Sequence, residues 1–411
     1  MPALVWLSSS SAEITRARNV LKALAPGGVI DELGFLVLSG AFADRFYPAV
    51  TTPMTRARYF FFVPAIYQHI ERSGKAVSRD VDRLARDLQY DLLKRVETER
   101  GAIGKESGRA LVRPPSEIYW GALAVLGIAT QRTSLASYHR RLSQGEFRLH
   151  TVRDDDNAVH PDDVNSLWDP TLRLSSILPD GVFPFDTTLR LRKWEAEVLR
   201  NRYAALTPNS HRTLITHMVT VALNQGVTAL NEFALPWDIP ALPEHTAKVV
   251  KHARLLSLFA RGTTLQYYRM LIEKKRDNDA GADAAFSAWW EAAHEDLRTW
   301  DLDAFFRLIA EWGADRRPVQ DRAFLRNWIA CCVKARSGDE ALRDADARRV
   351  IAEREHHVRR GKERLRVKFQ LDSWRQLRDY GPGNFYQLSY RHSVGRQFAE
   401  DIVDGLARGT S

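Results

Sequence analysis

Cysteine is almost missing from this chain: among 411 residues only Cys331 and Cys332 occur, side by side in the apolar stretch NWIACCV. Adjacent thiols cannot build a disulfide framework and lack the spacing of zinc ligands, so a disulfide-stapled secreted scaffold is excluded and a reducing compartment fits. There is no run of about 18 apolar residues to span a bilayer, and no charged-then-apolar leader at the N-terminus. A cytoplasmic protein with no membrane partner is expected. Strand-like alternation is scarce, residues 147–152 and 189–191 being the best short candidates. The chain also has no P-loop, GxGxxG, HExxH or GxSxG. Gly27-Gly28 and the glycines at 101 and 104 are turn glycines with no Lys-Ser/Thr after them, so nucleotide hydrolysis has no support. His356 and His357 are neighbours and point to different faces of a helix, whereas a shared metal asks for i, i+4. No metal and no cofactor is expected, and the scattered serines show no base partner for a nucleophilic triad.

What the chain has in quantity is helical periodicity. In 81–99, Val81, Leu84, Leu88, Leu92 and Val96 recur at three- and four-residue spacing with charged residues between them, an amphipathic helix. Residues 194–205, 211–224, 247–275, 282–299 and 301–312 read the same way, and Asp301 is placed to cap the last. Ser11 before 12–24 suggests one more cap and helix. Prolines cluster between these segments, notably in PWDIPALP at 236–243, and end helices there. The fold class expected is mainly α, a multi-helical globular fold with few short strands. A soft division into 1–235 and 236–411 suits the PWDIPALP linker, and one compact unit fits equally.

Lysine and arginine number 60 against 51 acids, a net charge of +9. This excess favours an anionic partner, nucleic acid first and an anionic membrane surface second; a basic enzyme with no polyanion is the plain alternative. Two regions concentrate chemistry. Residues 31–67, DELGFLVLSGAFADRFYPAVTTPMTRARYFFFVPAIY, mix acids and arginines (Asp31, Glu32, Asp44, Arg45, Arg56, Arg58) with a dense aromatic run. Carboxylates beside large rings act as acid or base when desolvated. Arginines two apart suit phosphate or carboxylate recognition. Residues 343–378 hold twelve basic residues against six acids. Read as one helix, they place Glu355, Arg359, Lys362 and Arg366 on a single stripe, beside Arg354 and Arg364. That stripe is either a phosphate-contacting face or a solvated helix laced by Glu–Arg pairs.

With DELG, TRARYFFFVPAIY, SEIYWGALAVLGI, Arg354-Glu355 and Arg364-Leu365 in view, the chain resembles a bacterial family of unknown-function proteins found in anti-phage defence loci. The likeness runs from Trp6-Leu7 to Asp401-Ile402 and Gly405-Leu406. It departs from the family pattern near the first region. Gly34-Phe35-Leu36 stand where the pattern has Gly-Ile-Gly, Pro48-Ala49-Val50-Thr51-Thr52 where it has Pro-Gly-Thr-Ser, and Arg359 where it has Lys. The resemblance implies a DNA glycosylase excising modified bases, such as glucosylated hydroxymethylated cytosine, from phage DNA to leave abasic sites.

That chemistry needs a carboxylate to activate water or stabilise an oxocarbenium-like sugar, and an aromatic pocket for an extruded base. It also needs cations on the flanking phosphates. Asp31, Glu32 and Asp44 are the carboxylate candidates, with Asp31 preferred. Tyr47, Tyr59, Tyr119 and Trp120 are the base-pocket candidates, and Arg56, Arg58, Arg354, Arg359, Lys362, Arg364 and Arg366 the DNA-binding ones. Each has a plainer reading: Asp31-Glu32 as a helix cap beside a Gly34 turn, Tyr119-Trp120 as core. The alternative function is a non-catalytic DNA-binding or sensor subunit working with defence-operon partners.

Overall fold

In the computed structural model, residues 31–73, 80–105, 107–147, 166–208, 211–275, 280–314, 318–361, 363–365 and 387–408 are described. In chain order the helices are α1 (Leu36–Phe46), α2 (Tyr59–Ser73), α3 (Val81–Val96), α4 (Pro115–Val125), α5 (Leu135–Ser143), α6 (Lys193–Ala205) and α7 (Leu214–Gln225). They continue with α8 (Glu244–Lys275), α9 (Ala280–Arg298), α10 (Leu302–Glu311), α11 (Pro318–Lys334), α12 (Gly338–Arg343), α13 (Ala345–Arg359) and α14 (His392–Ala407). The fold is mainly α, as the periodicity predicts. Among the described residues no strand forms, and one isolated bridge joins Ala129 to Trp168. Residues 189–191, expected as a strand, are bends and coil before α6. The Leu189 amide bonds to the Glu99 carboxylate, at 2.9 and 3.0 Å to its two oxygens, instead of to a ladder. Of the other strand candidate, only Phe147 is described, in a turn; the rest of it and the helix expected at 12–24 lie outside the described residues.

Local sequence sets the boundaries. Asp80, Ser134, Thr213, Asp301, Ser337 and Asp344 each accept a hydrogen bond from a first-turn amide of the helix that follows. Pro115 occupies the opening turn of α4, where its missing N–H goes unneeded. The basic stretch 343–378 corrects the sequence reading: it is not one helix. Asp344 starts α13, and Arg360 (φ 38°) and Gly361 (φ 86°) turn left-handed and end it. The stripe from Glu355 through Lys362 to Arg366 is therefore not a continuous helical face. Lys362 and Arg366 themselves lie outside the described residues.

The chain divides into two compact units, one of residues 1–42 and 243–390, the other of residues 43–242 and 391–411. In the first, the long α8 packs along α9, α11 packs on α13, and α12 closes against α9. Gly262 of α8 lets the helices close in, since a Cβ there would stand 2.1 Å from the Trp289 ring. Its core is aromatic: Phe259 meets Phe35, Phe324 and Trp328 edge-on. In the second, α14 lies across α6 and α7, and α2 packs against α3 and α4. Phe60 of α2 meets Tyr119 and Phe398 edge-on at its centre.

Candidate functional site

The first unit builds a charged cluster around the DELG turn. Asp31 has one short side chain and two amides in reach: Oδ1 accepts from the Phe35 amide at 2.7 Å and Oδ2 from the Leu36 amide at 2.8 Å. It caps the start of α1, and both oxygens are committed to backbone. Gly34 (φ 77°) lets the chain turn; a Cβ there would sit 3.0 Å from Val358 and 3.1 Å from the Arg354 guanidinium. Arg354 fixes that turn from below. It donates to the Leu33 carbonyl at 2.7 Å and to Asp321 at 2.6 Å, and lies over the Phe324 ring.

Glu32 is one residue on and faces the other way. Its carboxylate stands 3.1 Å from Arg359 Nη1 and 3.0 Å from Arg364 Nη1, with 11 % of the side chain exposed. Neither oxygen has an aligned hydrogen-bond donor among the described residues. Burial pushes the carboxyl up to about 7, against the downward pull of Arg364 and Arg359. The flank is held by Glu355, fully buried on α13. It accepts from Tyr267 Oη at 2.6 Å and from the Arg364 and Leu365 amides at 2.7 and 3.0 Å. Those amide bonds pin the segment that carries Arg364 to Glu32. The arrangement offers a carboxyl that changes protonation near neutrality between two fixed cations.

The second unit places the other named residues. Arg56 and Arg58 of TRAR are each committed to a carboxylate. Arg56 pairs with Asp401 at 2.8 Å, and the Ala57 amide bonds the same group at 2.8 Å. Arg58 is buried, pairs with Glu195 at 2.9 Å and donates to the Thr188 carbonyl at 2.7 Å. Burial raises Asp401 to about 6, raises Glu195 and lowers Arg58. Tyr119 Oη accepts from the Thr55 and Arg56 amides and donates to the Arg56 carbonyl, clasping the TRAR loop. Tyr59 Oη accepts from the Ile103 amide at 3.1 Å, Tyr47 Oη contacts His392 Nδ1 at 2.5 Å, and Trp120 Nε1 donates to the Thr133 carbonyl at 2.7 Å. Tyr47, Tyr59 and Tyr119 are fully buried in the core. Asp44 is largely exposed and pairs with Arg391 at 2.6 Å.

The sequence reading named Glu32, Arg354, Glu355, Arg359 and Arg364, with Glu355 on the basic stripe rather than in the core, but missed Asp321 and Tyr267, and in the second unit the pairing roles of Asp401 and Glu195. A signal existed. Glu355 follows Ile351 by four on the buried face of α13, and Asp401 lies between Phe398 and Ile402 on that of α14. An acid on an apolar stripe marks a buried partner. Among the described residues no group of three or more His, Cys, Asp or Glu is disposed to hold a metal ion, and no helix is long and apolar enough to cross a membrane.

A mainly helical protein with a buried, arginine-flanked glutamate is the class these features define. The chain belongs to a family of unknown function (DUF6361), which matches residues 1–405. Neither the curated proteins nor the solved structures contain a match to it.

Proposed function

We propose that this protein is an anti-phage DNA glycosylase that hydrolyses the N-glycosidic bond of modified bases, such as glucosylated hydroxymethylated cytosine, and that Glu32 is its acting carboxylate. The observation that carries this reading is Glu32 itself: a buried carboxyl raised to about 7, with neither oxygen meeting an aligned donor among the described residues. A group of that pKa takes a proton from water at neutral pH, and its ionised form stabilises positive charge on the sugar. Asp31, the sequence-based preference, has both oxygens committed to the amides that it caps at the start of α1. The net charge of +9 supplies the attraction to phosphate that binding requires. The defence-locus resemblance of DELG and TRARYF supplies the substrate class.

The test is abasic-site formation on DNA carrying glucosylated hydroxymethylcytosine, read with an aldehyde-reactive probe. Wild type releases base, and Glu32→Gln slows release on the order of 10²–10⁴-fold with DNA affinity kept. Full activity in Glu32→Gln refutes the assignment. A wild type that binds DNA but releases no base favours the second reading, a non-catalytic DNA-binding or sensor subunit. The net charge of +9 supports that alternative equally, since attraction to phosphate needs no acting carboxylate.

A further inference from the structure

The two cations beside Glu32 are placed by different means. Arg359 is the last residue of α13, and the helix carries it to the carboxylate. Arg364 lies beyond the left-handed Arg360 and Gly361 that stop α13, in a turn with no helix to hold it. Its side chain is nonetheless as enclosed as that of Glu32, each 11 % exposed. A long, rotamer-rich side chain keeps one position only if its backbone is fixed.

Two side chains fix it. Glu355 accepts from the Arg364 and Leu365 amides. Lys274, exposed in the last turn of α8, donates through Nζ to the Arg364 carbonyl at 2.9 Å and to the Leu365 carbonyl at 2.7 Å. An ammonium has three donors and no acceptor, so one lysine serves both carbonyls at once. The peptide group joining Arg364 to Leu365 is therefore held at both ends, its carbonyl by Lys274 and its amide by Glu355. The amide on the other side of the Arg364 Cα is held as well. A residue has only two soft backbone dihedrals, so these contacts set the direction in which the Arg364 side chain leaves the chain.

We infer, resting on the Glu32 reading above, that Lys274 is a positioning residue for Glu32: by gripping the two carbonyls it holds Arg364 against the carboxylate and so favours the ionised form. The charged and titratable groups around Glu32 among the described residues are Arg364 and Arg359, Glu355 of α13, Asp31 of its own turn and Tyr267 of α8. Arg364 and Arg359 are the two that pull the carboxyl down against its burial. Freed from Lys274, Arg364 shares its time with solvent, and Arg359 is left to oppose burial.

The experiment uses the full chain in three backgrounds, wild type, Lys274→Met and Lys274→Arg, each with and without Glu32→Gln. All are melted between about pH 5 and 9. About 0.5 M salt screens any effect that the exposed Lys274 charge exerts through solvent alone. The gap in melting temperature between each background and its Glu32→Gln partner widens with pH until the folded carboxyl ionises, then levels. Wild type levels near pH 7. Lys274→Met levels about 1 pH unit higher, the low end of what an adjacent opposite charge contributes. Lys274→Arg, which keeps donors for both carbonyls, levels with wild type. General destabilisation by a Lys274 substitution cancels within each pair and leaves the levelling pH unmoved. A Lys274→Met protein that levels with wild type, or a wild-type gap that does not change with pH, overturns the inference. Melting is read without DNA. A fully active Glu32→Gln therefore refutes the catalytic role and leaves this positioning standing, and an unmoved Lys274→Met leaves base release to judge Glu32.

Discussion

The state of Glu32 makes a prediction whose sign runs against intuition about ion pairs: removing its charge stabilises the first unit at alkaline pH. Burial raises the folded carboxyl from the ordinary 4.5 to about 7. Below pH 4.5 the group is protonated in both folded and unfolded chains and contributes nothing to the pH dependence. Between 4.5 and 7 the folded protein holds a proton that the unfolded chain has lost, so stability falls as pH rises. Above 7 both states are ionised and the full penalty is in force. The span corresponds to about 3 kcal/mol, at roughly 1.4 kcal/mol per pKa unit. A glutamine side chain resembles the protonated acid in shape and charge, so Glu32→Gln matches wild type near pH 5 and exceeds it by about 3 kcal/mol at pH 8. For a unit of roughly 150–250 residues that is a rise of roughly 6–12 °C in melting temperature.

The assay is thermal melting of wild type and Glu32→Gln at pH 5, 6, 7 and 8. Taking the difference between the two proteins cancels the other titrating groups, including Glu71 and Asp401 of the second unit, which burial raises to about 7 and about 6. A Glu32→Gln protein that melts at or below wild type at pH 8 refutes the reasoning. The Arg359 and Arg364 pairs then repay desolvation in full, and Glu32 is a structural ion. A gain at pH 8 together with lost base release is the signature of a residue kept for chemistry at a stability cost.

Three further substitutions separate scaffold from site. Asp31→Asn removes one of two charge-assisted cap bonds and lowers the stability of the first unit by about 1 kcal/mol, measured by urea midpoint, while abasic-site formation persists. Arg58→Ala strands the buried Glu195 carboxylate and lowers stability by about 3–5 kcal/mol; urea unfolding shows the loss, and adding Glu195→Ala restores part of it. Tyr119→Phe deletes the hydroxyl that serves two amides and a carbonyl of the TRAR loop, for a loss of about 1–3 kcal/mol by the same measurement.

Helix positions were legible because burial writes a three- and four-residue period into sequence. Val81, Leu92 and Val96 are buried where the period puts them, and Asp301 caps α10 as its position predicts. The basic segment misled because charge carries no stop signal: a plausible stripe continues past residue 360 on paper. The stop is Arg360, left-handed despite its side chain, followed by Gly361, which takes a second left-handed position without strain. The strand expected at 189–191 failed for a related reason. Alternation of Leu with Arg says only that two leucines are buried, and without a neighbouring strand the Leu189 amide is served by a glutamate side chain.

The same limits decide how much of the site sequence could give. Asp31 and Glu32 are adjacent acids, and nothing local ranks them. Asp31 is consumed by amides four and five residues ahead, whereas Glu32 is defined by Arg359 and Arg364, far downstream. The geometry separates them by what each oxygen meets. Glu355, Asp401 and Glu195 all accept aligned hydrogen bonds, and Glu355 and Asp401 serve backbone amides, as buried carboxylates that hold structure do. Glu32 has charge partners but no aligned donor among the described residues. Its two shoulders are fixed independently, Arg354 gripping the Leu33 carbonyl on one side and Glu355 gripping the Arg364 amide on the other. Two ion pairs without an aligned hydrogen bond set Glu32 apart from those three carboxylates. Under the proposed reading, a carboxyl held by its neighbours with lone pairs left to take a proton is the preorganisation that acid–base chemistry demands.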